Sequence, residues 1–129
     1  MKLTTSIPYV TFKEKDNILL IKFTKNKSIS LIMAKEIVME RARLQLDREL
    51  PILCDARKIK YVDKAARDYF ANEGSLFIKA LAILAEPPIA NILARHYLET
   101  YKPAIPTKIF AKKSEAWAFL KNTLNDKNQ

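Results

Sequence analysis

Residues 50–67 read LPILCDARKIKYVDKAAR, and this stretch decides the fold. The run from Leu50 to Cys54 is short, continuous and apolar, the composition of a strand covered on both faces. Asp55 closes it, and a basic loop, ARKIKYV, follows. Asp63 then stands where a helix N-cap belongs, with Ala66, Tyr69 and Phe70 as the apolar face of a helix running to about Glu73. The chain's one glycine, Gly74, falls where a left-handed C′ residue would end that helix. Buried strand, polar loop and capped helix together make the repeating unit of a parallel α/β sheet.

Upstream, residues 8–14 (PYVTFKE) and 18–24 (ILLIKFT) are β-rich runs separated by Lys15, Asp16 and Asn17, which tolerate a tight turn and predict an antiparallel hairpin. From Ser30 to about Asp47 the apolar spacing becomes helical through Leu31, Ala34, Val38 and Ala42, with Ser28 or Ser30 as N-cap. Downstream, residues 78–85 (IKALAILA) predict another buried strand, and Glu86, Pro87 and Pro88 lead into a helix striped by Ile89, Leu93, Tyr97 and Tyr101. Residues 108–111 give a last strand, and Ser114 opens a terminal helix with Trp117, Leu120 and Leu124 inward. The expected fold is α/β: an N-terminal antiparallel hairpin followed by repeated β-α crossovers, order ββαβαβαβα, in one domain spanning residues 1–129. Partners and ligands meet such sheets at the carboxyl ends of the strands, which directs attention to residues 55–67, 85–90 and 111–115. The first of these is the most polar.

Composition removes several functions. One glycine excludes the GxGxxG and GxxxxGK[ST] phosphate loops, and one cysteine excludes an internal disulfide. With one histidine, no zinc cluster of ordinary spacing assembles, so no metal or cofactor is expected. No run of about eighteen apolar residues occurs, and MKLTTSIPYV lacks an apolar stretch of signal-peptide length; the expectation is a soluble, cytoplasmic chain with no membrane span. Lys and Arg number 23 against 14 Asp and Glu, a net charge of +9 that attracts polyanions weakly. The basic residues run from Lys2 to Lys127 rather than along one aromatic-studded element, which argues against a dedicated nucleic-acid site.

Catalytic groups are as sparse. His96 stands beside a helical apolar stripe rather than near a nucleophile. Cys54, in a buried strand, reads as a small hydrophobe. Glu36 and Glu40 lie one helical turn apart among Lys35, Arg41 and Arg43, which reads as a salt-bridged outer face rather than an acid–base pair. Asp55 is the best isolated carboxylate, and the same position suits a residue that fixes the loop through backbone N–H groups. No enzyme is expected.

Residues 52–67, ILCDARKIKYVDKAAR, resemble the D-[LFV]-S-x-V-x-x-[IM]-D-S-S-G pattern of the STAS or SpoIIAA-like domains, the fold of anti-sigma factor antagonists. Asp55 matches the first Asp, Tyr61 and Val62 the hydrophobic step, and Asp63 the second Asp. The C-terminal part, with its Ile-Phe strand and Glu-Ala helix, is similar to a bacterial branch of small SpoIIAA-like proteins. The resemblance implies a non-enzymatic regulatory or scaffold domain that binds a protein through residues 56–62 and the first turn of the next helix. In the antagonists that turn carries a Ser that a partner kinase phosphorylates; here Lys64 and Ala65 stand there, so the usual switch is missing. The expected partner or anion surface is Asp55, Lys58, Lys60, Asp63, Lys64, Ala65 and Arg67. A small apolar or acidic ligand is the alternative, weak polyanion binding a third, and in the plainest reading Asp63 caps while Lys64 and Arg67 are solvated. A homodimer face is sought at Phe119 or at Tyr97, Leu98 and Tyr101.

Overall fold

The hairpin turn shows why its two residues are Asp and Asn. In the computed structural model, which describes residues 2–3, 7–87, 95–96, 98–100 and 105–125, Asp16 and Asn17 both take left-handed φ, 54° and 64°. Lys15 pairs directly with Ile18 across them, the two-residue loop whose twist suits an antiparallel ribbon. The ribbon joins β2 (Val10–Lys15) to β3 (Ile18–Phe23), with a two-residue β1 (Lys2–Leu3) on its outer edge.

Beyond β3 the sheet turns parallel. β5 (Leu50–Asp55), β7 (Ile78–Leu84) and β8 (Thr107–Phe110) add in turn, giving the order β1-β2-β3-β5-β7-β8. The continuous apolar run in β5 is explained by cover on both faces. Leu50 and Ile52 join a core with α1 (Leu31–Gln45) and α2 (Lys64–Ala71), while Leu53 joins Ile18, Ala80 and Ala82 beneath Ala116 and Leu120 of α3 (Lys113–Asn125).

The element order departs from the expected ββαβαβαβα at three places. Besides β1, two short strands precede the helices: β4 (Lys27–Ile29) before α1 and β6 (Ile59–Val62) before α2. The stretch expected as a loop thus contains a strand, and the two pair in parallel as a separate two-stranded sheet. The helix expected after Pro88 falls largely outside the described residues; 95–96 and 98–100 are helical, and Ile89, Leu93, Tyr97 and Tyr101 are not among the described residues. α3 starts at Lys113, one residue before Ser114.

Gly74 needs a different explanation from the expected one. It has no positive φ, and α2 ends at Asn72 with φ −102°. Gly74 sits in a 3-10 turn, Glu73–Ser75, where an added Cβ would lie 3.2 Å from the Tyr69 carbonyl oxygen, 3.4 Å from Phe70 Cδ1 and 3.5 Å from Val38 Cγ2. The close approach of α1 to this turn requires the missing side chain. Left-handed geometry instead occurs at the end of α1, where Leu46 and Asp47 have φ 53° and 63°. Gln45 Nε2 donates to the Arg48 carbonyl at 2.8 Å and Arg48 Nε to the Gln45 carbonyl at 2.8 Å, which holds that end against the steric cost.

Arg41 is the other correction. Placed with the outer face by its charge, it is instead buried on the inner face of α1, donating to Gln45 Oε1 and, at 2.9 Å, to the Gly74 carbonyl. Desolvation lowers its pKa to about 10, and the guanidinium ties α1 to the turn after α2.

Candidate interaction surface

The small parallel sheet places the starts of α1 and α2 side by side. Lys27 pairs with Ile59, Ser28 with Tyr61 and Ile29 with Val62, and the Asp63 N–H donates to the Ile29 carbonyl at 3.1 Å. Each helix then opens on a side-chain cap. Ser30 Oγ accepts from Met33 N at 3.3 Å and Asp63 Oδ1 from Ala66 N at 3.0 Å, each satisfying an N–H that the first helical turn leaves open. Ser30, rather than Ser28, is the α1 cap.

Asp55, the best isolated carboxylate in the sequence for a functional role, is engaged by Arg57. It accepts from Arg57 Nε at 2.9 Å, Arg57 Nη2 at 2.8 Å and the Arg57 backbone N–H at 3.3 Å. Burial raises its pKa, but the Arg57 hydrogen bonds and the charges of Arg57 and Lys22 outweigh that and hold the carboxyl below its ordinary value. Asp55 is thus an anion that fixes the β5–β6 turn. Lys64 Nζ lies 3.1 Å from Asp68 Oδ2, and Arg67 Nη1 donates to the Val62 carbonyl at 2.6 Å while its guanidinium sits 6.0 Å from the Tyr61 ring centre. Lys58, Lys60 and Ala65 are exposed, and so is Tyr61, an aromatic that the sequence reading used only as a hydrophobic step.

Between the helices runs an open groove of about 460 Å³, lined by Leu31 and Lys35 of α1 and by Ala65, Asp68, Tyr69, Asn72 and Glu73. The structure brings Ala65 to this groove and Asp63 to its head, whereas Asp55 lies under the β5–β6 turn. Lys58 precedes the short strand and Lys60 lies within it.

Nothing else described assembles a reactive centre. No group of three or more His, Cys, Asp or Glu side chains capable of holding a metal ion occurs among the described residues. His96 is exposed, its Nε2 3.5 Å from Thr100 Oγ1. Burial, and then the Asp55 charge, push the Cys54 thiol up to about 12, so it stays protonated at neutral pH. Phe119 packs on Phe110, ring centres 5.6 Å apart, and is half-buried. No helix described is long and apolar enough to cross a membrane.

The mixed sheet with an N-terminal antiparallel hairpin and helices on both faces is a SpoIIAA-like α/β fold. An uncharacterized protein of the DUF3478 family with a SpoIIAA-like fold, from Shewanella loihica PV-4, matches it with a TM-score of 0.64, at 12% identity over 86% of this chain and 91% of that one. The chain itself belongs to the family described as Domain of unknown function (DUF7793), which matches residues 12–124. No match is found among curated proteins.

Proposed function

We propose that this chain is a non-enzymatic, cytoplasmic regulatory or scaffold module that binds a protein partner across the groove between α1 and α2. The observation that carries the reading is the coincidence of that groove with the first turn of α2, where Ala65 is exposed on its wall. Tyr61, on β6 two residues before the α2 cap, adds an exposed aromatic, the residue type that anchors protein interfaces. A hydroxyl switch at the start of α2 has no place here, because Lys64 and Ala65 carry none. The open form of the groove favours a protein surface over an enclosed small ligand.

The test is native mass spectrometry of the chain purified at low salt from its own cytoplasm, in parallel with Ala65→Glu. The expected result is a co-purifying protein that Ala65→Glu removes while the fold, followed by circular dichroism, is kept. A partner retained unchanged by Ala65→Glu overturns the surface. A retained small molecule in place of a protein overturns the interaction reading in favour of a ligand-binding module, and nucleic acid displaced steeply by salt would do so in favour of a polyanion binder.

A further inference from the structure

The outer face of α1 carries a feature separate from that groove. Ile32, Met39 and Leu46 are 73%, 70% and 76% exposed, three of the five large apolar side chains that stand out into solvent among the described residues. Ile32 and Met39 are seven apart within the helix, which returns to within about 20° of the same direction every seven residues, and Leu46, seven further on, is its C-cap at left-handed φ 53°. The buried side of the helix, Ala34, Ile37, Val38, Arg41 and Gln45, lies opposite. Single exposed apolar residues need no explanation, but two aligned on one helix face, with a third at the C-cap that ends it, form an apolar stretch that water does not favour.

The charges beside the stripe select the occupant. Lys35 and Arg43 are matched by Glu36 and Glu40, so the face is neutral in a chain of net charge +9. A polyanion or an acidic membrane would find no excess of positive charge there, and two copies of this basic chain would meet with little repulsion. The pattern is also self-complementary in one orientation. With Met39 against Met39 and the helices antiparallel, Ile32 of each copy meets Leu46 of the other, and Glu36 of each lies beside Arg43 of the other. A parallel pairing would set Glu36 on Glu36 and Arg43 on Arg43.

We propose that the outer face of α1 is a self-association surface, on which a second copy of this chain packs antiparallel about Met39 in a two-fold symmetric dimer. An isologous contact of this kind uses the same patch on both subunits and closes on itself. A single helix pair covers less than the roughly 1,200 Å² of a standard interface, so the dimer is a weak one that forms as concentration rises. The surface is distinct from the partner groove, with Lys35 on the rim they share, and either can fail without the other.

Sedimentation velocity across a concentration series tests this with four samples: the unaltered chain, Met39→Glu, Glu36→Arg and Arg43→Glu, each checked for its fold by circular dichroism. The unaltered chain is expected to shift from one to two copies with concentration, and Met39→Glu to stay monomeric. Glu36→Arg alone sets Arg against Arg, and Arg43→Glu alone sets Glu against Glu, so each alone loses the dimer at least tenfold in dissociation constant. Mixed together they place opposite charges at both crossings and recover it. A chain that stays monomeric throughout, or a dimer that survives Met39→Glu, overturns the proposal. Failure of the mixture to restore dimer overturns the antiparallel register.

Discussion

The Asp55–Arg57 contact is the most consequential interaction in the candidate surface, and a double-mutant cycle measures it. Asp55→Ala, Arg57→Ala and the pair together remove a bidentate ion pair whose side chains are 11% and 39% exposed respectively. A hydrogen bond to a charged group contributes about 1.5–3 kcal/mol when buried, and an exposed pair about 0.2–1 kcal/mol. With Arg57 more than a third exposed, solvent screening places this pair between those limits, and the coupling energy is expected at about 1 kcal/mol. Asp55→Ala, which also frees the Arg57 backbone N–H, should cost about 2 kcal/mol in urea unfolding at pH 7 with the m-value unchanged. The pH dependence checks the sign. Asp55 is depressed in the folded state, so its contribution is present above the unfolded carboxyl value and is lost as pH falls through the folded one. In Arg57→Ala the side-chain hydrogen bonds and the guanidinium charge vanish while burial, the backbone N–H of residue 57 and the Lys22 charge remain, so the Asp55 contribution to the acid limb shrinks. A coupling energy under about 0.3 kcal/mol, or an acid limb identical in the unaltered chain and Arg57→Ala, would refute the reasoning.

Three further outcomes follow from single groups. Asp63→Ala should lower stability by about 1 kcal/mol by removing the cap on Ala66 N, while Asp63→Asn, which keeps an accepting oxygen, should stay within a few tenths; equal losses in thermal melts would show that charge rather than capping matters. Gly74→Ala should fall within about 1 kcal/mol of neutral, since the relief of chain entropy offsets a contact of 3.2 Å, and Gly74→Val should cost about 2 kcal/mol or more through overpacking against Val38; a tolerated valine would remove the close approach as the reason for glycine. Tyr9 is buried, and its hydroxyl has no hydrogen-bond partner among the described residues, so Tyr9→Phe should leave the urea midpoint unchanged or raise it by up to about 1 kcal/mol of stability; a loss larger than that would reveal a partner.

Where local chemistry decides an element, the sequence was legible. Asp16 and Asn17 announce the turn because both accept left-handed φ, and β5 and β7 read as buried because a strand covered on two faces must be apolar throughout. Asp63 and Ser30 read as caps because short polar side chains reach the open N–H groups of a first turn. The β6 strand did not read, because Lys60 interrupts it just after Lys58 and its partner, β4, is three residues long and lies about thirty residues away. The role of Gly74 is likewise set by Val38, on a different helix. Arg41 is the instructive case: at Ile37 plus four and Ala34 plus seven, the helical period had already put it inside, and only its residue type argued otherwise. The exposed pair Ile32 and Met39 was open to the same period, read for its outer face, whereas Leu46 lies past the helix end at left-handed φ.

The chemistry left for a partner follows from how the charges are used. Of the seven candidate residues, Asp55 is held by Arg57, Asp63 caps α2, Lys64 pairs with Asp68, and Arg67 bonds the Val62 carbonyl. Lys58 and Lys60 have a reason of their own. β6 pairs only with β4 among the described residues, which leaves the other edge of a short strand open, and lysines on or beside such an edge discourage unwanted strand addition. An anion site built from these groups would have to break contacts that order the β5–β6 turn and the start of α2. A protein surface would not, because the exposed Tyr61 and the groove that Ala65 lines supply shape and apolar area without displacing any of these bonds. On the proposed reading, recognition therefore rests on contacts that depend little on salt, which is why the loss on Ala65→Glu, rather than on Lys58→Ala or Lys60→Ala, discriminates between the two.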